Sequence, residues 1–214
     1  MIARSIPIFD RLMRRAMCSA PISSTRTGTT AALWKMRAEL ESYKDATKPQ
    51  QVLLDKAPSD SFLSYALPLA SDPTLKDQYT NFRGGVRFGR ILEDIDSFAG
   101  NIAFMHCDDM DPTTYSNTLV TACLDRLDLR QPITLGLQDF ALEGQATWAG
   151  RSSLQIDVTL RKAPAGQPAA SGPSEPVLHG SIVFVSVGRD GKGMPINRLV
   201  PKTAGEEEMR RTGE

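Results

Sequence analysis

The stretch that most constrains the fold is "FGRILEDIDSFAGNIAFMHC", residues 88–107. Its apolar residues Phe88, Ile91, Leu92, Ile95, Phe98, Ala99, Ile102 and Ala103 recur at steps of three and four, the period of an α-helix. At 1.5 Å per residue the helix is roughly 25–28 Å long. Its apolar arc is too wide for a helix lying on a surface, so other structure must wrap around it. Three acids interrupt the stripe: Glu93, Asp94 and Asp96. Which of them is a solvated charge and which is placed for chemistry is the question the sequence poses.

Strands follow. "TLVTACLDRLDL" reads as one, and "ITLGLQDFALEGQATWA" as one long strand or two in succession. "SSLQIDVTLRK" alternates strictly, with Leu154, Ile156, Val158 and Leu160 on one face, as a half-buried antiparallel strand does. "VLHGSIVFVSVGRD" is apolar on both faces and reads as a central strand. The Pro/Ala/Gly/Ser stretch at 163–176 joins the last two as a long hairpin loop, and "GRDGKG" is a turn. Upstream, "ALWKMRAELESYKD" keeps helical spacing, a strand is expected around Ser61–Leu67, and "DPTLKDQYTN" is a short helix with Asp72 as cap and Pro73 at its first position. A buried helix followed by a run of strands is an α+β fold. A curved antiparallel sheet wrapped around one long central helix is the hotdog architecture.

Composition narrows the function classes. Formal net charge is zero, which disfavours nucleic-acid binding. Three scattered cysteines (Cys18, Cys107, Cys123) and two histidines (His106, His179) suit neither a disulfide framework nor a metal centre. No apolar run reaches the length of a membrane span. Residues 1–37 carry seven basic residues and one acid, with a Ser/Thr-rich stretch and an amphipathic "IFDRLMRRAM". That is the description of a mitochondrial transit peptide. The chain beyond it has 18 basic and 24 acidic residues, a net of −6, so an anionic ligand needs a local cluster of cations. The expected organisation is a leader at 1–37, an N-terminal extension at 38–70, the hotdog domain at 71–205 and a charged tail at 206–214.

"FGRILEDIDSFAGNIAFMHC", "TLVTACLDRLDL", "GQATWAGRSSLQIDV", "FVSVGRDGKGMPINRLVP" and "EEEMRRTGE", in that order, resemble the first half of the mitochondrial acyl-coenzyme A thioesterases of the thioesterase-nine group. The similarity runs from about Asp72 to the end of the sequence. The resemblance implies hydrolysis of fatty acyl-CoA to free acid and CoA in the mitochondrial matrix, with no cofactor, since CoA is part of the substrate. Family members resemble tandem repeats of two hotdog domains, and hotdog thioesterases build active sites where two domains meet. The expected partner is therefore a second copy or a second hotdog domain.

Thioester hydrolysis needs an activated water, stabilisation of the oxyanion and a grip on CoA. Asp96 is the candidate base or nucleophile, because it falls seven residues after Gly89, the spacing of the helix carboxylate in similar enzymes. Burial among Ile95, Phe98 and Ala99 is expected to favour its neutral form. Asn81 stands where similar enzymes carry an Asn or Asp, to orient water or carbonyl; the competing reading is a plain turn residue. Backbone N–H groups at Gly89 and Arg90 would face the oxyanion, helped by the helix dipole. Gly150, Arg151, Ser152 and Ser153 correspond to a segment that lies along CoA in similar thioesterases. Arg87 and Arg90, with Arg83, could meet phosphates. Glu93 reads as a solvated charge, both histidines as structural, and Cys107 and Cys123 as buried small residues. Two other readings stand beside the thioesterase. One is a histidine-dependent hotdog dehydratase. The other is a non-catalytic acyl-CoA-binding or structural half of a two-hotdog enzyme.

Overall fold

A computed structural model describes residues 51–109, 111, 114, 115, 117–163, 176–188 and 190–213. The expected leader at 1–37, the helix expected at 32–45 and most of the loop expected at 163–176 lie outside these residues. In chain order the elements are β1 (Asp55–Lys56), β2 (Leu63–Leu67), α1 (Pro73–Gln78), α2 (Phe88–Cys107), β3 (Thr118–Leu129), β4 (Asp139–Ala149), β5 (Ser153–Ala163), β6 (Pro176–Val187), β7 (Arg198–Leu199) and α3 (Ala204–Gly213).

Five strands form an antiparallel sheet in the order β2-β4-β5-β6-β3. Helix α2 packs on one face of it, which is the hotdog arrangement. Ile91, Ile95, Phe98, Ala99, Ile102 and Ala103 are buried in one cluster with Phe140 and Leu142 of β4, Leu154, Ile156, Val158 and Leu160 of β5, and Ile182 and Phe184 of β6. Each large side chain so placed contributes about 1.5–3 kcal/mol. Gly144 lets the helix seat. A Cβ there would lie 2.7 Å from the Asp157 carbonyl and 3.0 Å from Ile102 Cδ1. Strand β5 alternates as its sequence predicts, and α1 begins as expected, with the Asp72 carboxylate accepting from Leu75 N–H at 3.0 Å.

Three boundaries differ from those expected. The strand expected around Ser61–Leu67 forms as β2 (63–67) and pairs with β4, so the sheet takes in residues before the expected domain start at 71. "ITLGLQDFALEGQATWA" is a single strand from Asp139, preceded by a turn in which Gly136 has φ +81°. Tail residues 206–213 belong to α3, which is fastened to the body. The Glu206 carboxylate accepts backbone N–H groups of Lys202 (2.7 Å), Thr203 (3.0 Å) and Ser59 (3.1 Å), which hold its pKa down at about 2.

The C-terminal end of α2 is closed. Lys56 Nζ donates to the carbonyls of Met105 (2.6 Å) and Asp108 (2.5 Å), and Gln51 Nε2 to that of Cys107 (2.6 Å). Asn197, fully buried, donates from Nδ2 to the carbonyls of His106 (2.8 Å) and Asp108 (3.2 Å), while its Oδ1 accepts Leu54 N–H at 2.8 Å. These are the carbonyls a helix end leaves orphaned. His106 is structural, as expected: its Nε2 lies 3.0 Å from the Asn197 carbonyl, and burial pulls its pKa down to about 4. Burial likewise pushes the Cys107 thiol up to about 12.

Strand β3 is the contrasting element. It is an edge strand with irregular register between Thr121 and Cys123 and again between Leu124 and Arg126, and it is exposed from Val120 to Arg126. Cys123 is therefore exposed, against the expectation of a buried thiol. Its alternation with leucines reads as a buried strand only if the sheet continues past it, and among the described residues β3 has a neighbour on one side alone.

Candidate active site

The start of α2 is open. Arg87 occupies the cap position and its side chain makes no capping bond. Gly89 is exposed, and a Cβ built on it would meet nothing within 4 Å. Arg90 N–H, expected to face the anion, donates instead to the Arg87 carbonyl at 2.9 Å, which leaves the Gly89 N–H, at the positive end of the helix dipole, to meet a developing anion. Asp96 lies two turns along the same face, roughly 10 Å from Gly89 by helix geometry.

Asp96 is exposed, not buried among Ile95, Phe98 and Ala99 as the sequence suggests. A two-residue step carries the chain 200° around the helix, and the residue that falls into the apolar stripe is Asp94. Asp94 is fully buried and receives the hydroxyl of Tyr79, itself fully buried. The positions Ile91, Asp94, Ile95 and Phe98 already carry this answer at helical spacing. Asp94 cannot reach a substrate from the interior. Asp96 can, and it is oriented: Thr121 Oγ1 of β3 donates to its Oδ1 at 2.9 Å. No sequence signal marked Thr121, because the pairing is a tertiary contact between a helix flank and a bulged edge strand.

Asn81 sits in the turn before α2. Its Oδ1 accepts N–H groups of Arg83 (2.9 Å) and Gly85 (3.0 Å), and its Nδ2 lies 3.3 Å from the Val86 carbonyl. The turn reading of Asn81 is thus realised, with Gly84 at φ +79° closing it. Arg87 Nη1 donates to the Gln78 carbonyl at 3.2 Å, and Arg90 pairs with Glu93 at 2.8 Å. The Glu93 charge is exposed, as expected. Arg83 stacks 5.1 Å from the ring of Phe82. Gly150–Ser153 form the β4–β5 hairpin, with Gly150 N–H on the Ser153 carbonyl at 2.8 Å. The Arg151 carbonyl accepts Ile196 N–H, and the adjacent Asn197 bonds His106. This hairpin therefore lies by the C-terminal end of α2, and one chain does not bring it to the start of the helix. Among the described residues no group of His, Cys, Asp and Glu is arranged to hold a metal, and no helix is long and apolar enough to cross a membrane.

No family model matches the chain. Individual relatives do. The chain is 35% identical over 184 residues to acyl-coenzyme A thioesterase 2, chloroplastic, of Humulus lupulus, covering 83% of the chain and 41% of the relative. Against acyl-coenzyme A thioesterase 4, mitochondrial, of the same plant it is 37% identical over 189 residues, covering 84% and 34%. A shorter relative decides the family: an uncharacterized acyl-CoA thioester hydrolase of Bacillus subtilis is 31% identical over 131 residues, covering 61% of the chain and 67% of the relative. The chain belongs to the acyl-CoA thioesterase family. It spans well under half the length of the plant thioesterases. Solved thioesterases share the fold. The acyl-CoA hydrolase of Staphylococcus aureus in complex with butyryl coenzyme A, coenzyme A and coenzyme A disulfide superposes with a TM-score of 0.59 at 21% identity, covering 75% of this chain and 84% of that one. A hexameric acyl-CoA thioesterase in its apo form gives 0.59 at 23%, covering 75% and 91%. Two further structures of the S. aureus hydrolase carry alanine in place of an aspartate or an asparagine that lie fifteen residues apart.

Proposed function

We propose that this thioesterase-family chain supplies half of an active site that hydrolyses fatty acyl-CoA to free acid and CoA. The observation that carries the reading is Asp96: a carboxylate on the one open flank of an otherwise buried helix, held by Thr121, in line with the uncapped N–H at Gly89. In the proposed reaction Asp96 either takes a proton from water as the water oxygen bonds the carbonyl carbon, after which the C–S bond breaks and CoA leaves with that proton, or attacks the carbonyl itself, expelling CoA thiolate and leaving an acyl-aspartate anhydride that water hydrolyses. The oxyanion is received by the Gly89 N–H of the second hotdog unit's α2, because within one chain that group lies about 10 Å from Asp96. Asn81 fixes the approach to that helix start, and its separation from Asp96 is the fifteen residues seen in the altered pair of the S. aureus hydrolase. Arg87, Arg90 and the Gly150–Ser153 hairpin grip the phosphates and pantetheine arm of CoA.

The open flank needs a cover. Asp96 is exposed beside an unpaired sheet edge, and the CoA hairpin lies at the far end of α2 from Gly89. A second hotdog unit, either another copy of this chain or a second domain, would exclude water from Asp96 and bring its own hairpin toward the helix start. The basic leader and the mitochondrial names among the relatives support a matrix location, although one relative is chloroplastic.

The same exposure favours a second reading. A carboxylate in bulk solvent is a weak base, so the chain alone would be the non-catalytic half of a two-hotdog enzyme. Thioester cleavage across an acyl-CoA length series, with the full chain and Asp96→Ala, separates the two. Cleavage lost in the variant supports the enzyme. A folded, inactive wild type supports the half, and equal activity in both removes Asp96 from the mechanism.

A further inference from the structure

Tyr79 and Asp94 are fully buried, and their hydrogen bond joins the two elements that carry Asn81 and Asp96. Tyr79 stands two residues before Asn81 at the base of its turn. The Tyr79 carbonyl accepts Arg87 N–H at 2.7 Å, Thr80 pairs with Val86, and Asn81 closes the loop on Arg83 and Gly85. Phe82 to Gly85 are exposed, so packing of the turn itself does not locate it. Its buried root is Tyr79, whose ring belongs to the core cluster. Asp94 stands two residues before Asp96, on the other side of α2. A shift of the Tyr79 hydroxyl against Asp94 therefore becomes a shift of Asn81 against Asp96. Apolar residues of similar volume would fill this space without the desolvation of a carboxylate. A hydrogen bond adds direction, which apolar packing does not.

We propose that the buried Tyr79–Asp94 hydrogen bond is a positioning device that sets the Asn81 turn in register with the Asp96 flank of α2. Its catalytic consequence rests on the thioesterase reading above. Tyr79→Phe removes the donor alone. Asp94→Asn keeps an acceptor and serves as the conservative rescue. Amide hydrogen exchange in the full chain tests the lock without reference to activity. In Tyr79→Phe the amides of Arg83, Gly85 and Arg87 should exchange about tenfold faster or more, with those of β4 and β5 unchanged; Asp94→Asn should stay near wild type. On acyl-CoA, Tyr79→Phe should lower kcat by about tenfold to a hundredfold while KM moves little, since binding is kept and alignment is lost.

Unchanged exchange in the turn overturns the lock. A uniform rise in exchange across the sheet also overturns it, because the bond would then serve global stability. Faster turn exchange with unchanged kcat overturns its catalytic consequence. A wild type that cleaves no acyl-CoA, with the exchange result as expected, sinks the reading of the chain as active by itself and leaves the positioning device standing.

Discussion

The two ends of α2 are built on opposite plans. At the C-terminal end, Lys56, Gln51 and Asn197 converge on the last carbonyls, and His106 and Cys107 are buried beneath them. At the other end there is no side-chain cap, an exposed glycine and three arginines within the preceding turn and first helical turn. Both ends present orphan backbone groups of similar strength. The protein satisfies one set with its own side chains and leaves the other open. Satisfied groups hold the helix in place against the sheet; unsatisfied ones are available to a ligand. On the proposed reading, an oxyanion site at the start of α2 depends on the closed end to hold the helix in place.

The contrast predicts where mutations register. Asp96→Asn should lower acyl-CoA turnover by about 10³-fold, within the range for loss of a positioned base. Its thermal midpoint should barely move, because the side chain is exposed. The closed end should fail in the opposite way. His106 has its pKa lowered from 6.5 to about 4 by burial, so the unfolded chain binds the proton more readily than the folded one between those values. Stability from this group is intact above about pH 6.5 and falls by about 3 kcal/mol as pH drops to 4. Urea midpoints across that window should fall more steeply in wild type than in His106→Gln, which keeps only the shallower loss that the lowered Glu206 carboxyl adds near pH 4. Asn197→Ala strips three hydrogen bonds from the same place and should cost about 2–3 kcal/mol in urea denaturation, with kcat in the folded fraction unchanged. Lys56→Met keeps the aliphatic stem but loses the two carbonyl contacts, for about 1 kcal/mol. Gly89→Ala should shift stability by less than about 0.5 kcal/mol, as nothing lies within 4 Å of the added methyl. A large destabilisation there would mean that the helix start is packed rather than open.

The parts of this fold that were legible in the sequence are those set by local periodicity. Helix α2 could be read from steps of three and four, strand β5 from strict alternation, and α1 from its Asp-Pro cap. What escaped was set by partners distant in sequence. Glu206 is a buried anchor because three backbone donors surround it. The carboxylates divide in the same manner. The helical spacing that buries Ile91 and Phe98 also buries Asp94, so that burial was readable. The Asp96–Thr121 contact depends on where a bulged edge strand passes the helix, and no pattern within either segment encodes it. The resemblance to acyl-CoA thioesterases supplied what periodicity did not, namely the spacing from Gly89 to Asp96.

Strand β3 has a consequence for the behaviour of the protein in solution. Twelve residues of edge left unpaired among the described residues, with Val120, Leu124 and Leu129 about half exposed, would template fibril growth if the strand were straight. Two register shifts put kinks into it, and Asp125, Arg126 and Asp128 add charge of both signs. A generic strand cannot follow that contour, whereas a complementary one with matching offsets can. The edge thus screens its own company, resisting indiscriminate stacking at high concentration.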